Sequence, residues 1–96
     1  MKTTDEILQM LARGKEALQA QFKVRRLALF GSYARRQQQA DSDVDIMVDV
    51  DPSIGLDFVT LARSIEQMLG ESVDLVSTRA IKPAYRSRIE RESIDV

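Results

Sequence analysis

The 96-residue sequence contains neither cysteine nor histidine. Without cysteine, disulfides and thiolate metal sites are excluded. Without histidine, the usual zinc ligand and the commonest general base are both missing. Any metal must be bound mainly through oxygen, which favours Mg²⁺ or Mn²⁺ over zinc. Charge of one sign is lacking too: the formal net charge is −1. That argues against a nonspecific nucleic-acid binder, which would be markedly basic, and against nucleic acid as the direct substrate. There is no long apolar run. The opening "MKTTDEILQMLARGKEAL" is charged and amphipathic, so neither a signal peptide nor a membrane span is visible, and a soluble, cytoplasmic protein is expected. No repeat, linker or low-complexity tract divides the chain, which reads as one domain over residues 1–96. A chain of this size buries only about 60–65% of the surface that it exposes when unfolded. It has room for one sheet and a few helices, but not for a second, substrate-holding domain.

Helix and strand signals alternate along it. Thr3 with Glu6 forms a capping box, and Ile7, Leu8, Leu11 and Leu18 make a helical apolar stripe that fades near Gln21, with Gly14 as a weak point. Val24–Phe30 reads as a strand closed by Gly31, and a short helix is predicted from Ser32 through "SYARRQQQ". Asp43–Val50 reads as a second strand, with Val44, Ile46 and Val48 on one face and Asp43, Asp45 and Met47 on the other. After the Asp51-Pro52-Ser53 turn, Gly55–Gly70 reads as a helix with Phe58, Leu61, Ala62, Ile65 and Leu69 inward and Gly70 as its stop. Ser72–Ser77 is a third strand, and a charged helix starts at Pro83, with an extended segment at Ser93–Val96. The expected order is α-β-α-β-α-β-α, an α/β (α+β) chain whose sheet is flanked by helices on one or both faces; the strand directions are left open.

Two aspartates stand in the second strand. Asp43 and Asp45, two positions apart, share one face at roughly 6–7 Å. Neighbouring carboxylates repel unless a proton or cation intervenes, and a divalent cation resolves this with oxygen ligands. An isolated Asp-x-Asp reads equally well as a wet surface pair. Upstream, Gly31-Ser32 closes a strand and opens a helix, where glycine lets the backbone approach a ligand and free N–H groups suit phosphate. Alone, this is an ordinary turn with a serine cap; together, the two features describe a metal–nucleotide site. Asp49 has the right parity but lies about 13–20 Å along the strand. Asp74, on a separate strand, is the better third carboxylate, and three carboxylates from two strands can hold two Mg²⁺ ions about 3.5–4 Å apart.

"GSYARRQQQADSDVDIMV" resembles the signature of the DNA-polymerase-β-like nucleotidyltransferase superfamily: Gly-Ser, a spacer, then Asp-x-Asp in a hydrophobic strand. With "ESVDLVS" downstream, the chain from Val24 onward is similar to the minimal nucleotidyltransferases, the MNT-domain antitoxins of HEPN/MNT toxin–antitoxin pairs. Arg36 departs from the pattern, which has glycine after "AR". The resemblance implies a mixed-sheet, palm-like fold and nucleotidyl transfer. It matches Asp43, Asp45 and Asp74 to the metal-binding and catalytic carboxylates, and Gly31 and Ser32 to the triphosphate contacts. It further implies transfer of AMP from Mg·ATP to a tyrosine hydroxyl of a cognate HEPN ribonuclease toxin.

In such a reaction a hydroxyl attacks the α-phosphorus, with Asp74 as base or as ligand of the metal that replaces one. Arg35 is a candidate phosphate contact, and Arg36 a weaker one; both also suit a solvated helix. The basic tail, with Glu90 and Glu92 interleaved, suggests a solvated or partner-facing helix, and Tyr33 and Tyr85 read first as packing residues, with contact to a base or a partner as the alternative. Two other readings stay open: an antitoxin that acts by binding alone, and a small-molecule nucleotidyltransferase. Homodimer and hetero-oligomer are both left open.

Overall fold

A computed structural model describes residues 1–96. Four helices and four strands follow in the order α1 (Thr4–Phe22), β1 (Arg26–Phe30), α2 (Gly31–Ala34), β2 (Val44–Asp49), α3 (Asp57–Leu69), β3 (Val73–Ser77), α4 (Pro83–Glu92) and β4 (Ile94–Asp95). Short 3₁₀ turns lie at Pro52–Ile54 and Thr78–Ala80. The strands form one sheet in the order β3-β2-β1-β4. β1 runs antiparallel to both β2 and β4, whereas β2 and β3 are parallel, so the sheet is mixed.

Local chemistry accounts for the helix ends. The Thr3 hydroxyl accepts from the Glu6 N–H, and the Glu6 carboxylate accepts from the Thr3 N–H, the reciprocal capping box. This bond holds the Glu6 carboxyl below its usual pKa. Gly70 ends α3 in the left-handed conformation (φ +66°). Gly14, in mid-α1, lies where an added Cβ would meet the thioether of Met68, so its lack of a side chain serves the packing of α1 on α3.

Period-2 burial sorts the sheet's two faces. Leu27 and Leu29 of β1 and Val44, Ile46 and Val48 of β2 point to one side, where they form a core with Ile7, Leu11 and Leu18 of α1 and Leu61, Ile65 and Leu69 of α3. Burying each such side chain stabilises the fold by roughly 1.5–3 kcal/mol relative to exposure. Phe58 and Ala62, also expected inward, are only partly buried. The opposite face carries Arg26, Ala28 and Phe30, then Asp45, Met47 and Asp49, then Asp74 and Val76. α4 folds back over this face, fastened by the Arg26 guanidinium, which donates to Glu90 (2.9 Å) and to Asp95 (2.9 Å). No helix is long and apolar enough to cross a membrane.

One expectation needs correction. The helix read through "SYARRQQQ" is a single turn, Gly31–Ala34, because Arg36 takes a left-handed conformation (φ 58°) that a helix cannot continue. The extended segment expected at Ser93–Val96 is a strand, β4, which pairs with β1 at Ala28 and Leu29 and becomes the fourth strand of the sheet.

Candidate active site

The carboxylates come together through strand register. Asp45 lies directly opposite Phe30 of β1 on one side and Asp74 of β3 on the other. The parallel pairing of β2 with β3 brings Asp74 alongside Asp45, and Asp43 stands two residues earlier, just before β2 begins. Asp49 pairs with Arg26 at the far end of β2 and takes no part. Asp43 and Asp74 are exposed, and Asp45 is half-buried.

Gly31 sits over this row. Its φ is +73°, and a Cβ there would lie 2.0 Å from Asp45 Oδ2 and 2.8 Å from its Cγ. Only glycine allows the backbone to come that close to the carboxylate. The Gly31 N–H donates to Glu92 Oε1 (3.2 Å), and Arg35 Nη1 donates to Glu92 Oε2 (2.8 Å). The two donors expected to meet phosphate thus already hold an anion, the carboxylate at the end of α4. Ser32, half-buried, follows Gly31 in the same turn. Arg36 points elsewhere and pairs with Asp5 (2.8 Å).

The electrostatics follow from this crowding. Burial, then the charges of Asp74 and Asp43, push the Asp45 carboxyl up to about 6, against a smaller opposing effect of Arg35 and with a further contribution from Glu92. Asp45 and Asp74 lie side by side across the strands, but as placed no three carboxylates are close enough together to hold a metal ion. Their chemistry still fits a hard divalent cation: the donors are all oxygen, their charges are mutually unfavourable, and the Gly31 backbone leaves Asp45 room.

Sequence reasoning missed Glu92, which it placed on a solvated or partner-facing helix; no local signal marks a residue that reaches the site only because α4 folds back. It also missed a cleft of about 380 Å³ beside Asp74, between the sheet and α4. A larger cleft of about 530 Å³ lies at the opposite ends of β2 and β3, lined by Val50, Phe58 and Leu75, away from the carboxylates.

Residues 14–96 match the family described as "Polymerase beta, Nucleotidyltransferase". The protein adenylyltransferase MntA of Thermococcus cleftensis is 40% identical over 98 residues, covering 100% of this chain and 98% of that one. A chain of Methanocaldococcus jannaschii, provisionally named a protein adenylyltransferase, is 41% identical over the full length of both. Among solved structures, a provisionally assigned minimal nucleotidyltransferase superposes with a TM-score of 0.76 at 34% identity, covering 94% of this chain and 95% of that one. A toxin–antitoxin crystal structure with AMP-PNP shares the fold at 24% identity and a TM-score of 0.69, covering 98% of this chain and 72% of that one. With a family match over most of its length and full-length relatives at about 40% identity, the chain belongs to the polymerase-beta nucleotidyltransferase family and is a nucleotidyltransferase.

Proposed function

We propose that this chain, acting as one domain over residues 1–96, transfers AMP from Mg·ATP to a tyrosine hydroxyl of a partner toxin of the HEPN ribonuclease class and so neutralises it. The observation that carries the reading is the in-register pair Asp45–Asp74 beneath the Gly31 backbone, with Asp43 two residues away. The protein adenylyltransferase relatives favour AMP and a protein acceptor, and the motif resemblance favours the toxin.

In this mechanism the Gly31 N–H, the Ser32 hydroxyl and Arg35 receive the triphosphate, which displaces the Glu92 carboxylate from the same donors. The acceptor oxygen attacks the α-phosphorus, the bond to the bridging oxygen breaks, and pyrophosphate leaves with the electron pair. Asp74 takes the hydroxyl proton; with no histidine in the chain, a carboxylate is the available base. Asp43, Asp45 and Asp74 would hold Mg²⁺, which would lower the pKa of the hydroxyl and neutralise charge on the leaving pyrophosphate.

The test is transfer of label from α-labelled ATP to a purified HEPN partner with Mg²⁺ present. Asp43→Ala is expected to reduce transfer by at least about a hundredfold. If that variant still silences the toxin as well as the unmodified chain does, neutralisation is by contact and the catalytic reading fails.

A further inference from the structure

The cleft beside Asp74 has walls of two kinds. Phe30 and Val76 of the sheet form an apolar floor, and Asp74 stands at its edge. α4 and the residue before it supply Lys82, Tyr85 and Arg88. Tyr85 is 50% exposed, with the Arg88 guanidinium carbon 5.6 Å from its ring centroid, a cation–π distance.

Lys82 and Arg88 place positive charge on the rim of this cleft. Arg25, Arg26, Arg35 and Arg36 all pair with carboxylates of the protein itself. Lys82 and Arg88 form no ion pair and are exposed. A positive rim with no internal partner, over an apolar floor, is complementary to an acidic segment that carries an aromatic or aliphatic side chain.

Position narrows the occupant further. In-line displacement at phosphorus requires attacking and leaving oxygens on opposite sides. The proposed phosphate donors, Gly31 and Arg35, lie on the β1 side of Asp45, and Asp74 lies on the β3 side. An attacking hydroxyl must therefore arrive from the Asp74 side, and Asp74 lines the cleft, which also reaches Phe30 across the sheet.

From this we infer that the cleft between β3 and α4 is the acceptor site, and that Lys82 and Arg88 select a hydroxyl-bearing segment of another protein flanked by acidic residues. The inference rests on the transfer reading above. The step keeps its balance: the hydroxyl oxygen forms the new bond to the α-phosphorus, the proton passes to Asp74, and pyrophosphate is released.

The test uses three synthetic peptides with one tyrosine each, flanked by glutamates, by serines or by lysines, with α-labelled ATP and Mg²⁺. Affinity for Mg·ATP is measured separately with a non-hydrolysable analogue. The acidic peptide is expected to show kcat/KM at least about tenfold above the basic one at low salt, with the ratio shrinking as salt screens the rim. The double variant Lys82→Glu, Arg88→Glu is expected to reverse that order while analogue affinity stays within about twofold. Serine replacements at both positions, which avoid new charge, should abolish the preference without reversing it. Equal rates for all three peptides overturn the inference. So does a rim variant that loses analogue binding, which would make the cleft a nucleotide site. Tight analogue binding with no peptide labelled also overturns it, whereas absence of analogue binding overturns the transfer reading itself.

Discussion

Replacing Gly31 with alanine separates two effects that one glycine combines. The first is conformational: at φ +73° a β-carbon strains the backbone, by about 1–2 kcal/mol for a left-handed residue. For a domain of this size each kcal/mol moves Tm by about 4–8 °C. The second is local to the site. The new Cβ would stand 2.0 Å from Asp45 Oδ2, 2.8 Å from Cγ and 3.0 Å from Cβ. Rotating one oxygen away does not clear it, because the whole side chain is met, so the carboxylate must retreat by about 1 Å. Displacement of a reacting group by about 1 Å costs around a hundredfold in rate, about 2.7 kcal/mol of barrier.

Gly70 is the control, with φ +66° and nothing nearer to an added Cβ than Lys2 Nζ at 3.5 Å. Gly70→Ala should lower Tm comparably and leave transfer within about twofold of the unmodified chain. Gly31→Ala should lower Tm and cut label transfer at 25 °C by at least about a hundredfold. Circular dichroism confirms that both variants are folded at the assay temperature. If Gly31→Ala keeps activity within about threefold, or Gly70→Ala loses as much, close approach to Asp45 is not what the glycine provides.

Two further outcomes follow from the same geometry. The Asp45 carboxyl is raised to about 6 in the folded chain, against about 3.9 unfolded. The folded state therefore binds the extra proton between these values, and stability falls as pH rises from about 4 through about 6. Asp45→Asn should stabilise the metal-free protein at pH 7.5 by on the order of 1 kcal/mol, a figure discounted for the residue's partial exposure. The gain should vanish near pH 3.5, and Mg²⁺ at pH 7.5 should raise the Tm of the unmodified chain more than that of the variant. A destabilised Asn variant at pH 7.5 would show that this carboxylate is not under electrostatic strain. Arg36→Gly should raise stability by a few tenths of a kcal/mol, roughly 0.3, because the left-handed penalty slightly exceeds the exposed Asp5 pair and glycine's added entropy cost together. A lower Tm for that variant would mean that the Asp5 pair outweighs the backbone.

Much of this molecule was legible in the sequence because the signals concerned are local. The Thr3–Glu6 box, the Gly70 stop and the alternation of Val44, Ile46 and Val48 with Asp45 and Met47 each depend on residues within a turn or two. Strand parity placed Asp43 and Asp45 on one face and set Asp49 too far along to join them. It could not say which strand lies next to β2 or in which direction it runs. Only the parallel pairing of β2 with β3 sets Asp74 beside Asp45, since register is decided by packing between segments distant in sequence. The same holds for α4. Its charge pattern suits solvent, yet Arg26 clamps Glu90 and Asp95 and carries Glu92 to the Gly31 N–H. The sequence by itself determined the three longer helices, the strand faces and the carboxylate pair. Tertiary structure decided the third carboxylate's place, the anion at the Gly31–Arg35 donors and the cleft beneath α4, because each needs contacts that no local pattern encodes.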